Sequence, residues 1–350
     1  MFRRLCTYLT LIAALAFPVA AAAQPEDAVQ RALAWLASQQ LPDGGFSNGF
    51  SEGSDIGTTA DAIVAVLSGG GAPSTWTVDG RSPLDFLVNQ AGSVHSPGGA
   101  AKVALAAEAA GLDPQSFGGV DLIAMISDGF DPATGYFGGG PFDSALCLIA
   151  LSGAGEPLPQ GALDGLLAGR LEDGSYSFNG DRTPGAGDSN TTALAVQALM
   201  AAGARDQVGP SLEYFRAAQN EDGGWTYQKP SAYGEATDAN STALVAQALL
   251  AAGEDLASWG NPLETLASLQ VPSGAFIYNA ATSAENALAT IQAIPALAGV
   301  DYSDVAMLSA ARPAAEAARS PGAGTLLAGV VVGVLVVLLT AAAWMARRRS

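Results

Sequence analysis

Two kinds of helical pattern alternate along the chain. In Ser211-Leu-Glu-Tyr-Phe-Arg-Ala-Ala-Gln219 the apolar positions recur every three or four residues and the charges fall on the other side. This pattern predicts an amphipathic helix with one solvated face. From Thr191 to Ala202 the residues are Ala, Leu, Val, Thr, Gln and Met with no charge. A helix of that kind is covered on most sides. The first kind is therefore expected in an outer layer and the second in an inner one.

A glycine turn with an aromatic residue joins each outer helix to the next inner helix and recurs as Gln-x3-Gly-x-aromatic. It occurs at Gln40, Gly44 and Phe46, at Gln219, Gly223 and Trp225, and at Gln270, Gly274 and Phe276. Asp131, Gly135 and Phe137, and Arg170, Gly174 and Tyr176, keep all but the first residue, while the copy near Gln90 keeps only Gly98-Gly99. The intervals of 50, 41, 39, 49 and 51 residues suit a pair of helices with two loops. The inner helices starting at Asp188-Ser-Asn-Thr-Thr and Asp238-Ala-Asn-Ser-Thr open on N-capping residues and end on Gly203 and Gly253. Other inner helices are expected to start at Thr58, Gly99, Phe142 and Glu285. Six repeats of two helices predict an all-α fold, an (α/α)6 toroid over residues 24–300, whose closure removes the need for capping repeats.

The two ends carry a different signal. Residues 1–23 have Arg3 and Arg4, an apolar run and Ala21-Ala22-Ala23, the pattern of a secretory signal peptide. Thr325 to Ala346 is 22 residues without a charge, followed by Arg347-Arg348-Arg349. It is long enough to cross the roughly 30 Å hydrocarbon core as a single C-terminal transmembrane helix, and the arginines place the tail 347–350 in the cytoplasm. Residues 301–324, with Pro313 and Pro321, read as a flexible stalk. The expected location is thus the cell membrane, with the toroid outside.

Composition sharpens this picture. The chain has 350 residues, 33 acidic against 15 basic, and only 7% aromatic residues. Its formal charge of -18 disfavours a nucleic-acid partner. Without the five arginines of the two ends, ten basic residues face all 33 acidic ones, so the negative balance is wholly extracytoplasmic. Loss of Cys6 with the signal peptide leaves Cys147 alone, and no intramolecular disulfide is expected.

The Gln-x3-Gly-x-aromatic turns, most clearly Gln219-Asn-Glu-Asp222-Gly-Gly-Trp225, resemble the repeats of the terpene cyclase and protein prenyltransferase superfamily. The stretch Asn190-Thr-Thr-Ala-Leu-Ala-Val-Gln-Ala-Leu199 is similar to one in its cobalamin-carrier branch, the intrinsic factor and transcobalamin group. The resemblance spans about Glu26 to Val300 and implies an α/α toroid. It also implies a small-molecule ligand, of corrinoid or isoprenoid class. A β-rich second domain like that of cobalamin carriers is not expected from the residues after Val300, which are rich in Ala, Pro, Ser and Arg.

The activities known on that fold lack their residues in this chain. There is no Asp-x-Asp-Asp and no Asp-Asp-x-x-Asp, and one histidine, His95, with Cys147 makes no zinc set. No catalytic residue, metal or cofactor is expected. Two sets of residues are candidates for ligand binding. Asp55, Asp143, Asp188, Asp238 and Glu285, with Asn190 and Asn240, lie at inner-helix starts and would ring one mouth of the toroid, or else cap their helices. Gln197, Gln247 and Gln292 are read at one position on three inner helices, bonding each other or a ligand. The function that follows is a surface-displayed, non-catalytic toroid binding a small molecule or a partner protein. The alternative is a cyclase-like or carbohydrate-active enzyme using the mouth carboxylates.

Overall fold

The computed structural model describes residues 25–309, apart from Ser51 and Tyr233. Twelve α-helices form the two layers of the ring, and a further helical turn, 306–309, follows them. The outer helices are α1 (Pro25–Ala37), α3 (Pro83–Gln90), α5 (Leu122–Asp128), α7 (Ala162–Gly169), α9 (Gly209–Ala218) and α11 (Pro262–Ser268). The inner helices are α2 (Ile56–Ser68), α4 (Pro97–Ala109), α6 (Pro141–Gly153), α8 (Ser189–Ala201), α10 (Ala239–Ala252) and α12 (Ala287–Leu297). Each inner helix packs on the next, and α12 packs back on α2 to close the ring. Every outer helix rests on the inner helix that precedes it, and α1 rests on α12, so the first and last repeats complete one another. Two short antiparallel hairpins, β1 (Phe130–Asp131) with β2 (Tyr136–Phe137) and β3 (Phe276–Ile277) with β4 (Glu285–Asn286), lie in the connecting loops. Among the described residues no helix is long and apolar enough to cross a membrane. The predicted signal peptide and the predicted span 325–346 lie outside the described residues.

The repeated turn is an interlock between repeats. Gln219 Nε2 donates to the carbonyl of Gly223 at 2.9 Å and to that of Trp259, just before α11, at 2.7 Å. Gln40 makes the same reach to Gly44 and Trp76, and Gln270 reaches Gly274 and Ala28 of α1, which ties the last turn to the first helix. Arg170 substitutes for the glutamine by donating to the carbonyl of Gln207. The turn glycines are required twice over. Gly274 has a φ of +98°, and a Cβ there would lie 2.3 Å from the carbonyl oxygen of Arg31. The aromatic residue is driven inward, and its backbone amide donates to a hydroxyl on the following inner helix: Phe46 to Thr59, Phe137 to Ser144, Tyr176 to Thr192, Trp225 to Thr242 and Phe276 to Thr290. These bonds set the register of every inner helix but α4.

One boundary moves. The stalk expected from Asp301 begins inside the fold, because Tyr302 and Val305 are buried in the core and residues 302–304 form a 3-10 turn against α6 and α8. The amide of Tyr302 donates to Gln197 Oε1 at 2.7 Å, which holds the segment in the ring.

Candidate functional site

Counting from each N-cap brings the inner helices into one frame. The caps are Asp55, Ser96, Gly140, Asp188, Asp238 and Asn286. The sixth residue after each cap is Asp61, Lys102, Leu146, Leu194, Leu244 and Gln292, and all six line a single central cavity of about 290 Å³. The layer above, two residues after the caps, is Gly57, Gly98, Phe142, Asn190, Asn240 and Leu288, of which the four with larger side chains also line the cavity. The inner helices therefore open at the same end, and Tyr302 lines the cavity from the far side.

The cavity has two unlike sectors. Leu146, Leu194 and Leu244 from α6, α8 and α10 make an apolar wall, extended by Phe142 and Phe178, whose rings lie 4.8 Å apart. Opposite them, α2, α4 and α12 supply Asp61, Lys102 and Gln292. Lys102 Nζ donates to Asp61 Oδ2 at 2.6 Å in a pair whose charges cancel. Above that pair the glycines at 57 and 98 leave the upper layer without side chains. The Oδ1 atoms of Asn190 and Asn240 and the Oε1 of Gln292 are buried with no hydrogen-bond partner. Buried acceptors left in that state cost roughly 1–3 kcal/mol each, which a donor brought by a ligand or water relieves. Burial, with the charge of Asp61 adding to it, keeps the Tyr302 hydroxyl protonated well beyond its ordinary range.

The expected mouth carboxylates have a different task. Asp55, Asp188 and Asp238 cap their helices through the amides of Thr58, Thr191 and Ser241, each at 2.7 Å. Next to the Asp188 and Asp238 caps, the amides of Ser189 and Ala239 donate to the backbone carbonyls of Tyr227 and Tyr278 at 2.8 Å, which pins two aromatic residues at the rim. Asp143 is not a cap: it lies in the first turn of α6 and accepts from Gly139. Glu285 does not begin α12, which is capped by Asn286. It sits in β4, where its Oε2 accepts from Trp35 Nε1 at 2.9 Å. Hydrogen bonds from Ser273 and Trp35 hold its carboxyl below the usual range.

The three glutamines do not share a position. Gln197 and Gln247 are nine residues past their caps, one turn deeper than Gln292, and lie beneath the cavity. Gln247 Nε2 reaches the backbone carbonyl of Gln292 at 3.5 Å, while Gln197 holds Tyr302, so the expected glutamine ring does not form among the described residues. Of the candidates, Asn190, Asn240 and Gln292 come together in the cavity. Asp61, Lys102, Tyr227, Phe178 and Tyr302 are lining residues that the sequence reading missed. Asp61 and Lys102 were findable as lone charges in otherwise apolar inner-helix turns.

Burial raises the carboxyls of Asp188 and Asp238 to about 6, against the lowering effect of their hydrogen bonds. Between about 4 and 6 the folded chain holds protons that the unfolded chain has released, so these groups make stability fall as pH rises through that window. Asp188→Asn and Asp238→Asn keep an acceptor for the cap. They are expected to flatten this slope in urea denaturation between pH 4 and 7 without loss of stability at pH 7; a slope unchanged in both would show that these carboxyls titrate normally.

Six inner helices within six outer ones, around a cavity open at one end, are the architecture of α/α toroids. No protein-family model and no curated protein matches the chain. Solved structures do. An unsaturated glucuronyl hydrolase specific for heparin superposes with a TM-score of 0.58 at 12% identity, covering 78% of this chain and 95% of that one. A type II terpene cyclase from Scytonema, in complex with geranylgeranyl dihydroxybenzoate, gives 0.58 at 13% identity, covering 81% and 98%. Haptocorrin in complex with Cbi gives 0.52 at 14% identity, covering 79% and 67%. All three are α/α toroids, and the similarity at these identities is one of fold.

Proposed function

We propose that this chain is a non-catalytic binding protein that takes a small, neutral organic molecule into the central cavity, apolar where it meets the leucines and bearing hydroxyl groups where it meets the amide layer above them. The observation that carries this reading is the set of unpaired amide oxygens in an otherwise apolar cavity: Asn190 and Asn240 one turn above Leu194 and Leu244 on α8 and α10, and Gln292 on α12. A largely apolar pocket with a few convergent polar groups suits a small-molecule ligand, and about 290 Å³ is at the lower end of such sites, roughly 300–1,000 Å³. A pure isoprenoid brings no donors, and a corrinoid macrocycle asks for more room, so neither class named by the resemblance is favoured. The solved neighbours bind a geranylgeranyl substrate and Cbi in their own complexes, which supports small-molecule binding at this coarser level.

The absence of turnover is part of the proposal. Asp61 is the carboxylate lining the central cavity among the described residues, and its partner is Lys102; Asp188 and Asp238 are committed to their helix caps. Export and anchoring through residues 325–346 are proposed on the sequence pattern alone. The test is ligand-observed NMR of the full chain with neutral one- and two-ring hydroxylated compounds. Leu244→Trp fills the apolar wall and is expected to weaken binding at least about tenfold, a loss of ~1.4 kcal/mol. Hits that bind Leu244→Trp as well as the parent would refute the central site, and turnover of a hit would favour the enzyme alternative.

A further inference from the structure

Beside the central cavity lies a second hollow, with two lining residues in common. This rim groove, of about 280 Å³, is lined by Asn48, Phe50, Tyr278 and Glu285 and shares Asn240 and Leu288 with the central cavity. Asn240 is 8% exposed and its Oδ1 has no partner, so an unsatisfied acceptor stands at the junction of the two spaces.

The rim is aromatic. Among the described residues, Phe50, Phe178, Tyr227 and Tyr278 are exposed by 93%, 54%, 41% and 38%, and each lies in a loop that leads into an inner helix. In three repeats the exposed ring stands two residues after the buried one: Tyr176 and Phe178, Trp225 and Tyr227, Phe276 and Tyr278. The backbone carbonyls of Tyr227 and Tyr278 accept the amides of Ser189 and Ala239 at 2.8 Å, so both aromatic residues are pinned to the starts of α8 and α10 before any ligand arrives.

We propose that the ligand is the end of a neutral oligosaccharide at least two rings long. Its terminal ring occupies the central cavity and its next ring lies on the rim against Tyr278 and Phe50, with Asn240 accepting a hydroxyl near the link. This deepens the ligand-binding reading above and rests on it. A sugar ring offers an apolar C–H face to an aromatic side chain and hydroxyl donors along its edge. The site offers the complement: aromatic faces, the amide oxygens of Asn190, Asn240 and Gln292, and the Glu285 carboxylate, which only accepts. Charge selects a neutral chain. Glu285 on the rim repels an acidic sugar, and the Lys102–Asp61 pair in the central cavity leaves no net charge there to attract an ionic one.

The experiment is calorimetric titration of the full chain with maltose, cellobiose and N,N′-diacetylchitobiose, with glucose and N-acetylglucosamine as one-ring controls and a uronic-acid disaccharide as the acidic control. At least one neutral disaccharide is expected to bind about tenfold or more tightly than its own monosaccharide, and the acidic one weakly. Phe50→Ala, on an exposed loop, and Tyr278→Ala should each shrink that preference while leaving the monosaccharide affinity unchanged; Tyr278→Phe should retain most of it. Equal affinities for one and two rings, a preference untouched by both alanine variants, or preferred binding of the acidic sugar would overturn the rim subsite. If no sugar binds while the NMR hits still depend on Leu244, the sugar class is wrong and the cavity reading stands. If those hits are also absent, the cavity reading itself fails.

Discussion

Trp225→Ala is expected to destabilise the chain by about 4 kcal/mol, within the roughly 3–5 kcal/mol found for truncating a buried aromatic residue. Trp225 is fully buried, its ring centroid 6.5 Å from that of Phe215 and 6.2 Å from that of Trp259. Its Nε1 donates to the carbonyl of Phe215 at 2.8 Å, and its amide donates to Thr242, fixing α10. Truncation opens a cavity between α9 and α10 and removes one of the two bonds to the Phe215 carbonyl, which keeps the bond from the Gln219 amide. Trp225→Phe keeps most of the packing and loses the indole bond, for an expected cost of about 1–2 kcal/mol. Tyr227→Ala, two residues on, removes a rim ring and should cost less than Trp225→Phe while weakening ligand binding. Urea unfolding of the three variants checks the order. A loss at Tyr227 as large as that at Trp225 would mean that the rim tyrosines hold the ring closed rather than meet a ligand.

This contrast shows what the sequence makes legible. The turn residues recur because each repeat needs the same interlock, so Gln219, Gly223 and Trp225 could be recognised in three clear copies and two partial ones. Alternation of amphipathic and apolar stretches likewise gave twelve helices in two layers, since burial acts on every turn of a helix. The cavity was harder to read because no motif marks it. Its six lining positions at the central layer are Asp, Lys, Leu, Leu, Leu and Gln, which differ because each faces the ligand space rather than a repeated neighbour. They emerge only when counted from the caps. Counting by glutamine identity instead put Gln292 one turn too deep, because Asn286, not Glu285, caps α12 and that helix carries Pro295 where α8 and α10 carry Gln197 and Gln247. Tyr302 escaped because a short segment rich in Asp and Ser reads as linker, although its place is fixed by one long-range bond to Gln197.

Glu108→Met is expected to stabilise the chain at pH 7 by about 3 kcal/mol. Glu108 is in the last turn of α4, only 7% exposed, and neither carboxyl oxygen has a partner. It packs against the end of α6, where a Cβ at Gly153 would lie 2.4 Å from its Oε2. Burial raises its carboxyl from 4.5 to about 8, so at neutral pH it is held protonated in the folded chain and ionised in the unfolded one. The sign follows from linkage: the folded state binds the extra proton, so stability is full below pH 4.5 and falls as pH rises towards 8. At pH 7 that window spans about 2.5 pH units, or about 3 kcal/mol at ~1.4 kcal/mol per unit. Methionine fills a similar volume without a polar group and removes the dependence. Glu108→Gln should also flatten the profile but gain less, because its amide meets the same lack of partners. Unfolding free energies measured from pH 4.5 to 8 separate the cases. If the parent is flat across that range and Glu108→Met is destabilised, the carboxyl is ionised and paired, and the interior of this end of the toroid is more polar than its side chains make it.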